Sequence, residues 1–123
     1  MQNARDRCEK LGGNLPIIRS AEENQFIFDQ IKNVQGIGKW GVWLDAKRQA
    51  DGKFVWENGT PFEGHYTNWA NGEPNDLGDN EDCVHMYAKE NNFESFWNDL
   101  RCDPSLPDGA ILCQKEIDRK SVV

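Results

Sequence analysis

Apolar residues recur three or four positions apart at the start of the chain. Ala4, Cys8 and Leu11 line one face of a helix over residues 2–11, and Gly12-Gly13 supplies its stop. Ser20 and Glu23 stand at capping-box spacing. From there Phe26, Ile27, Ile31 and Val34 carry an apolar face towards Gly36, which predicts a second helix. Beyond Lys39 the period changes to short runs rich in Val, Trp, Phe and Tyr, at residues 40–44 and 53–57, separated by Gly, Asn and Pro. Two further strand candidates fall at residues 83–88 and 109–115, with Phe96-Trp97 between them. Helices first and strands later read as an α+β fold.

The middle of the chain, residues 58–82, is long, polar and rich in Gly, Asn, Asp and Pro, with Phe62, Tyr66 and Trp69 inside it. A long loop that holds its own shape within a compact domain is usually functional. At its start Asn58-Gly59-Thr60 is a glycosylation sequon, but Asn-Gly between the run 54–56 and Phe62 is also a hairpin signal, and the turn is the favoured reading. Trp40, Trp43, Trp56 and Trp69 are expected to serve the core and loop anchoring rather than an exposed stacking platform for a ligand.

Composition narrows the function. At 123 residues the chain suits one domain with a single core. The domain is expected to span residues 1–116, followed by a tail at 117–123. A net charge of −7 argues against nucleic acid or an anionic membrane as a partner, since phosphates call for a basic surface. Glu73, Asp76, Asp79, Glu81 and Asp82 fall within ten residues that hold no Lys or Arg, so this segment needs cations. No stretch approaches the roughly 20 apolar residues of a membrane span. Cys8, Cys83, Cys102 and Cys113 lack the spacing of a zinc site; four cysteines allow three disulfide pairings, and an even count suits an oxidising, extracellular compartment. His65 and His85 have no spaced partners that suggest zinc or a catalytic triad.

The acidic segment has a more specific content. Calcium takes six to eight oxygen ligands from carboxylates, amide and main-chain carbonyls and water. Glu73-Pro74-Asn75, Glu81 and Asn98-Asp99 supply three carboxylates and two amide carbonyls, with positions left for ligand oxygens. A cis bond before Pro74, accessible at modest cost, turns the flanking Glu73 and Asn75 side chains towards one point.

Glu73-Pro74-Asn75, Glu81-Asp82-Cys83 and Trp97-Asn98-Asp99 together resemble the signature of sugar-binding C-type lectin domains. The likeness extends to the helix ending in Cys8, to residues 11–15, to the acidic start of the second helix and to Trp43-Leu44, covering residues 2–115. It implies a C-type lectin fold of two helices, small antiparallel sheets and a long calcium-binding loop. It also implies pairing of Cys8 with Cys113 and of Cys83 with Cys102. In the family's mechanism one calcium is held by Glu73, Asn75, Glu81, Asn98 and Asp99. Two adjacent sugar hydroxyls reach that ion while donating to Glu73 or Glu81 and accepting from Asn75 or Asn98. Trp97 is expected to pack beneath its strand, with Tyr87 at the rim of the site. The order Glu-Pro-Asn resembles members that choose mannose, N-acetylglucosamine or fucose over galactose. A shallow site of this kind binds monosaccharides weakly, so copies displayed together, as an oligomer or within a larger chain, are expected.

The sequence departs from the family in three places. A second calcium would fall to Asp51, Asp76 and Asp82, yet Lys47 and Arg48 stand where an acidic ligand is expected, and a cation there repels calcium. The interval from Cys102 to Cys113 is long, which implies a reshaped turn at residues 103–108. The strand that normally precedes the first helix is missing, which suggests a fragment and an unpaired edge near Gln114. Enzyme activity is not expected: glycoside hydrolysis needs an acid of raised pKa and a poised water, whereas calcium ligation favours ionised carboxylates. The alternative function is a module of the same fold that uses calcium to shape its loop and recognises a protein or a mineral surface.

Overall fold

The computed structural model describes residues 2–34, 41–74, 81–88, 94–102 and 111–114. Helix α1 spans Gln2–Lys10 and buries Ala4 and Cys8. Helix α2 spans Ala21–Ile31; Ser20 caps it by accepting from the Glu23 amide at 3.1 Å, while the Glu23 carboxylate reaches back to the Arg19 amide. Its inward face is Asn24, Ile27 and Ile31. The apolar faces are therefore narrower than the sequence suggests. Leu11, Phe26 and Val34 are exposed, because each lies at a helix end or on the outer side of its helix with no element covering it.

Four strands form one antiparallel sheet in the order β2-β1-β3-β4, with β1 at Val42–Arg48, β2 at Phe54–Trp56, β3 at Cys83–Met86 and β4 at Trp97–Leu100. Strand β4 corrects the sequence reading, which left Trp97 between strands. The expected strand at 109–115 is described only at residues 111–114, where Gln114 makes an isolated bridge to Asn14. Gln114 itself is paired there: Asn14 N donates to Gln114 O, Gln114 N donates to Asn14 O, and the Gln114 side chain accepts from Ile17 N at 3.0 Å. The Asn58 turn is observed, with Trp56 N bonded to Thr60 O, Thr60 N to Asn58 Oδ1, and Gly59 at φ +92°. Gly41 enters β1 at φ +68°, where a Cβ would meet Met86 O at 1.9 Å, so only glycine fits the approach to β3.

The core lies between α2 and the sheet. Trp97, fully buried, is ringed by Trp56, Phe62, Tyr66 and Trp69 at centroid distances of 5.6 to 6.0 Å, mostly edge-on. Its indole Nε1 donates to Asn24 Oδ1 at 2.8 Å, which satisfies the polar atom that burial would otherwise orphan. Trp43 and Trp56 are also buried, as core use of the tryptophans requires, while Trp40 lies outside the described residues. A smaller cluster of Ala4, Cys8, Leu15, Trp43 and Cys83 holds α1 to the sheet. Disulfides join Cys8 to Cys113 and Cys83 to Cys102, the pairing that the family resemblance implies. In the loop-entropy account the longer closure contributes about 4 to 5 kcal/mol and the shorter about 3. The architecture is thus α+β, and among the described residues no helix is long and apolar enough to cross a membrane.

One buried ion pair ties α1 to the sheet. Asp45 is 1% exposed, and its Oδ1 lies 3.1 Å from Arg5 Nε and 3.0 Å from Arg5 Nη2, which also stands 3.2 Å from Glu57. Burial pushes the Asp45 carboxyl above its ordinary range, and Arg5 opposes that push. A carboxyl whose pKa rises on folding holds its proton more tightly in the folded state. Its contribution to stability therefore falls as pH rises from the ordinary carboxylate range through the raised value. Arg5→Gln removes the opposing charge, so unfolding at pH 7 is expected to lose about 3 to 5 kcal/mol, with a smaller loss near pH 4 where Asp45 can protonate. Denaturant titrations at the two pH values measure this, and an equal loss at both contradicts it.

Candidate functional site

The site is built from β4 outwards. Trp97 is fixed in the core, and the next two residues, Asn98 and Asp99, pair with His85 and Val84 of β3. Asn98 is 7% exposed and Asp99 is fully buried. Two main-chain bonds clamp the neighbouring loop to the same strand: Trp97 N donates to Asn68 O at 2.8 Å, and Ala70 N donates to Trp97 O at 2.9 Å. Glu73 N then closes a turn onto Ala70 O at 2.9 Å, so Glu73 is held a short, ordered path from Asn98. The Glu73–Pro74 peptide bond is cis, as the sequence reading anticipates. Just before β4, Ser95 stands at φ +72°, and its carbonyl accepts from the Asn24 and Asn68 side chains.

Each buried polar group here has a defined partner. Asn98 Nδ2 stands 3.0 Å from His85 Nε2; in the tautomer protonated on Nδ1, His85 accepts, and the Asn98 amide is oriented without engaging its carbonyl oxygen. His85 is itself fully buried, with Tyr87 edge-on at 4.7 Å. Asp99 Oδ2 lies 2.9 Å from Arg48 Nη2. Sequence reasoning missed the role of both partners. His85 looks ordinary because its partner is thirteen residues away in sequence. Arg48 stands out only as a cation where an acid is expected. The signal available for each was its position on a strand beside the motif.

Glu81 and Asp82 reach this region through Arg48 as well. Its Nε and Nη2 approach the Glu81 carbonyl at 3.4 and 3.2 Å, Nε lies 3.4 Å from Asp82 Oδ1, and Arg48 N donates to Asp82 O at 2.8 Å. Of the residues expected to hold a second calcium, Asp51 accepts from Lys53 N in the exposed β1–β2 turn and Asp82 is exposed beside Arg48. Asn75 and Asp76 lie outside the described residues, as do the tail and the turn at 103–108. Among the described residues no three His, Cys, Asp or Glu side chains gather closely enough to hold a metal ion. The donors described are nevertheless of the hard oxygen type that suits calcium: the Glu73, Glu81 and Asp99 carboxylates and the oriented Asn98 amide.

The family model for the lectin C-type domain matches residues 1–115, and the chain belongs to the C-type lectin domain family. Ladderlectin of Oncorhynchus mykiss is 32% identical over 118 residues, 94% of this chain and 58% of its own length. The alpha-N-acetylgalactosamine-specific lectin of Patiria pectinifera is 36% identical over 91 residues, 73% of this chain and 52% of its own length. The chain therefore spans little more than half the length of these curated relatives. Among solved structures, the cow C-type carbohydrate-recognition domain of CD23, determined in the presence of GlcNAc2Man3 oligosaccharide, superposes with a TM-score of 0.64 at 35% identity, covering 80% of this chain and 67% of that one.

The His85 contact is testable alone. His85→Leu leaves the buried Asn98 amide without its acceptor and is expected to cost about 1 to 3 kcal/mol of stability in chelator. His85→Gln, which can still accept, should lose less. Urea unfolding of the three proteins measures the difference, and equal midpoints for wild type and His85→Leu contradict the assignment.

Proposed function

We propose that this domain binds carbohydrate through one calcium ion, without breaking a bond, and that its ligands are mannose-type sugars: mannose, N-acetylglucosamine or fucose. The observation that carries the reading is the state of Asn98 and Asp99. Both sit on a strand anchored in the core, with the Asn98 amide oriented by His85 and the Asp99 carboxylate held by Arg48. These partners offset the cost of burying a carboxylate and an amide and fix the direction of both groups at the edge of a polar loop. Glu73, Asn75, Glu81, Asn98 and Asp99 would hold the ion, which supplies direct coordination of two adjacent sugar hydroxyls when bound. Glu73 and Glu81 accept a hydrogen bond from those hydroxyls, and Asn75 and Asn98 donate one to them. The Glu-Pro-Asn order supports mannose-type over galactose-type sugars. A relative named for N-acetylgalactosamine specificity makes galactose-type sugars the comparison to measure.

The two disulfides support an oxidising, extracellular setting for the domain. A sugar held mainly through one ion makes few further contacts, which supports low monosaccharide affinity and avidity from several copies.

Calorimetric titration of mannose into calcium-loaded protein tests this reading, with galactose, chelator and Asn75→Asp as comparisons. The expected outcome is mannose heat that vanishes in chelator and falls at least about tenfold in affinity with Asn75→Asp. Calcium binding with no heat from any sugar would sink the carbohydrate reading and favour a protein or mineral ligand.

A further inference from the structure

Arg48 has an unusual set of neighbours. Among the described residues its guanidinium faces the carboxylates of Asp99 at 2.9 Å and Asp82 at 3.4 Å and the main-chain carbonyls of Glu81 at 3.2 Å and Gly52 at 3.2 Å. Its other surface lies on the Phe54 ring, 4.4 Å from the centroid. The side chain is 15% exposed and one of its carboxylates is fully buried, so water screens this arrangement poorly. Carboxylates and main-chain carbonyls converging on one point are the ligand chemistry of a hard cation. Here the charge that fills the point is carried by the chain.

The strand geometry explains how it gets there. The β1–β3 register skips between Leu44 and Lys47, whose partners Val84 and Cys83 are adjacent, so two residues of β1 are extra on that side. Past this bulge Arg48 N donates to Asp82 O, which sets the base of its side chain against the 81–82 segment. The guanidinium fork then spans from the β1–β2 turn at Gly52 to β4 at Asp99, a reach that a point charge on a lysine would not match.

We infer that Arg48 is a positioning residue that takes the place of a second calcium ion: a tethered cation that fixes the 81–82 segment and the Asp99 carboxylate before any metal arrives. In its presence the chain takes one calcium, because the point between Asp82, the Glu81 carbonyl and the Gly52 carbonyl, where a second ion would sit, is already filled by the guanidinium. The one-ion part of the inference rests on the calcium-binding reading above, while the fixing of the segment does not.

The test uses the full chain as wild type, Arg48→Gln and Arg48→Glu, with two readouts: calcium stoichiometry by calorimetry, and melting temperature in chelator. Wild type is expected to bind one calcium per chain, and Arg48→Glu two, since the substitution removes the guanidinium from that point and adds a carboxylate. Arg48→Gln should melt at least about 10 °C lower in chelator and bind calcium about tenfold more weakly. The stoichiometry change separates a cation surrogate from a residue that merely packs, because lost packing would not add an ion. Two calcium ions bound by wild type, or one by folded Arg48→Glu, overturns the surrogate role. Equal melting of wild type and Arg48→Gln in chelator overturns the fixing of the segment. If no protein binds calcium, the calcium-binding reading itself fails and the surrogate role falls with it. The chelator melting of Arg48→Gln, the variant that also covers a failure of Arg48→Glu to fold, still decides the fixing role.

Discussion

The burial of Trp97 is the constraint on which the rest depends. Its ring is packed by Trp56, Phe62, Tyr66 and Trp69, and its one polar atom is satisfied by Asn24 of α2. Full burial of a side chain this large contributes a few kcal/mol by area alone. It also fixes β4 in register against β3. The main-chain groups of the same residue hold the loop at Asn68 and Ala70. One residue thus sets the positions of Asn98 and Asp99 on one side and of Glu73 on the other.

Charge is handled by the same strand that centres the sheet. Strand β1 carries Asp45, paired with Arg5 of α1, and three residues on it carries Arg48, paired with Asp99 of β4. Both pairs join a nearly dry carboxylate to an arginine on another element. Such pairs add little net stability compared with apolar packing, but removing either partner strands a buried charge. Their value here is orientation: Arg5 binds the first helix to the sheet, and Arg48 gathers the Asp82 and Asp99 carboxylates and the Glu81 main chain about one point.

Much of this was legible in the sequence, and the failures have physical causes. The Ser20 cap, the Asn58 turn and the cis bond before Pro74 are local chemistry, written in adjacent residues. The helix faces were read too widely, because periodicity says which residues share a side but not whether anything covers it, as Leu11 and Phe26 demonstrate. Strand β4 went unread because four residues containing Asn and Asp carry little strand signal of their own and pair only through long-range packing. The disulfide pairing was open among three choices until the family likeness was invoked. Of the candidate site, motif chemistry proposes the oxygen donors, whereas His85 and Arg48 become partners of Asn98 and Asp99 only once the strands are side by side. The pairing of Gln114 was not legible because its partner, Asn14, lies in the irregular segment after α1.

The central claim is that the core-anchored side of the site is formed by packing and hydrogen bonding, ahead of any ion. Amide hydrogen exchange of the protein in chelator tests it most directly, read at three amides: Trp97, Ala70 and Arg48, which donate to Asn68, Trp97 and Asp82. The account predicts slow exchange at all three in chelator, with little further slowing when calcium is added. Exchange at open-loop rates until calcium is supplied would contradict it and make the ion, rather than Trp97, the organiser of the site.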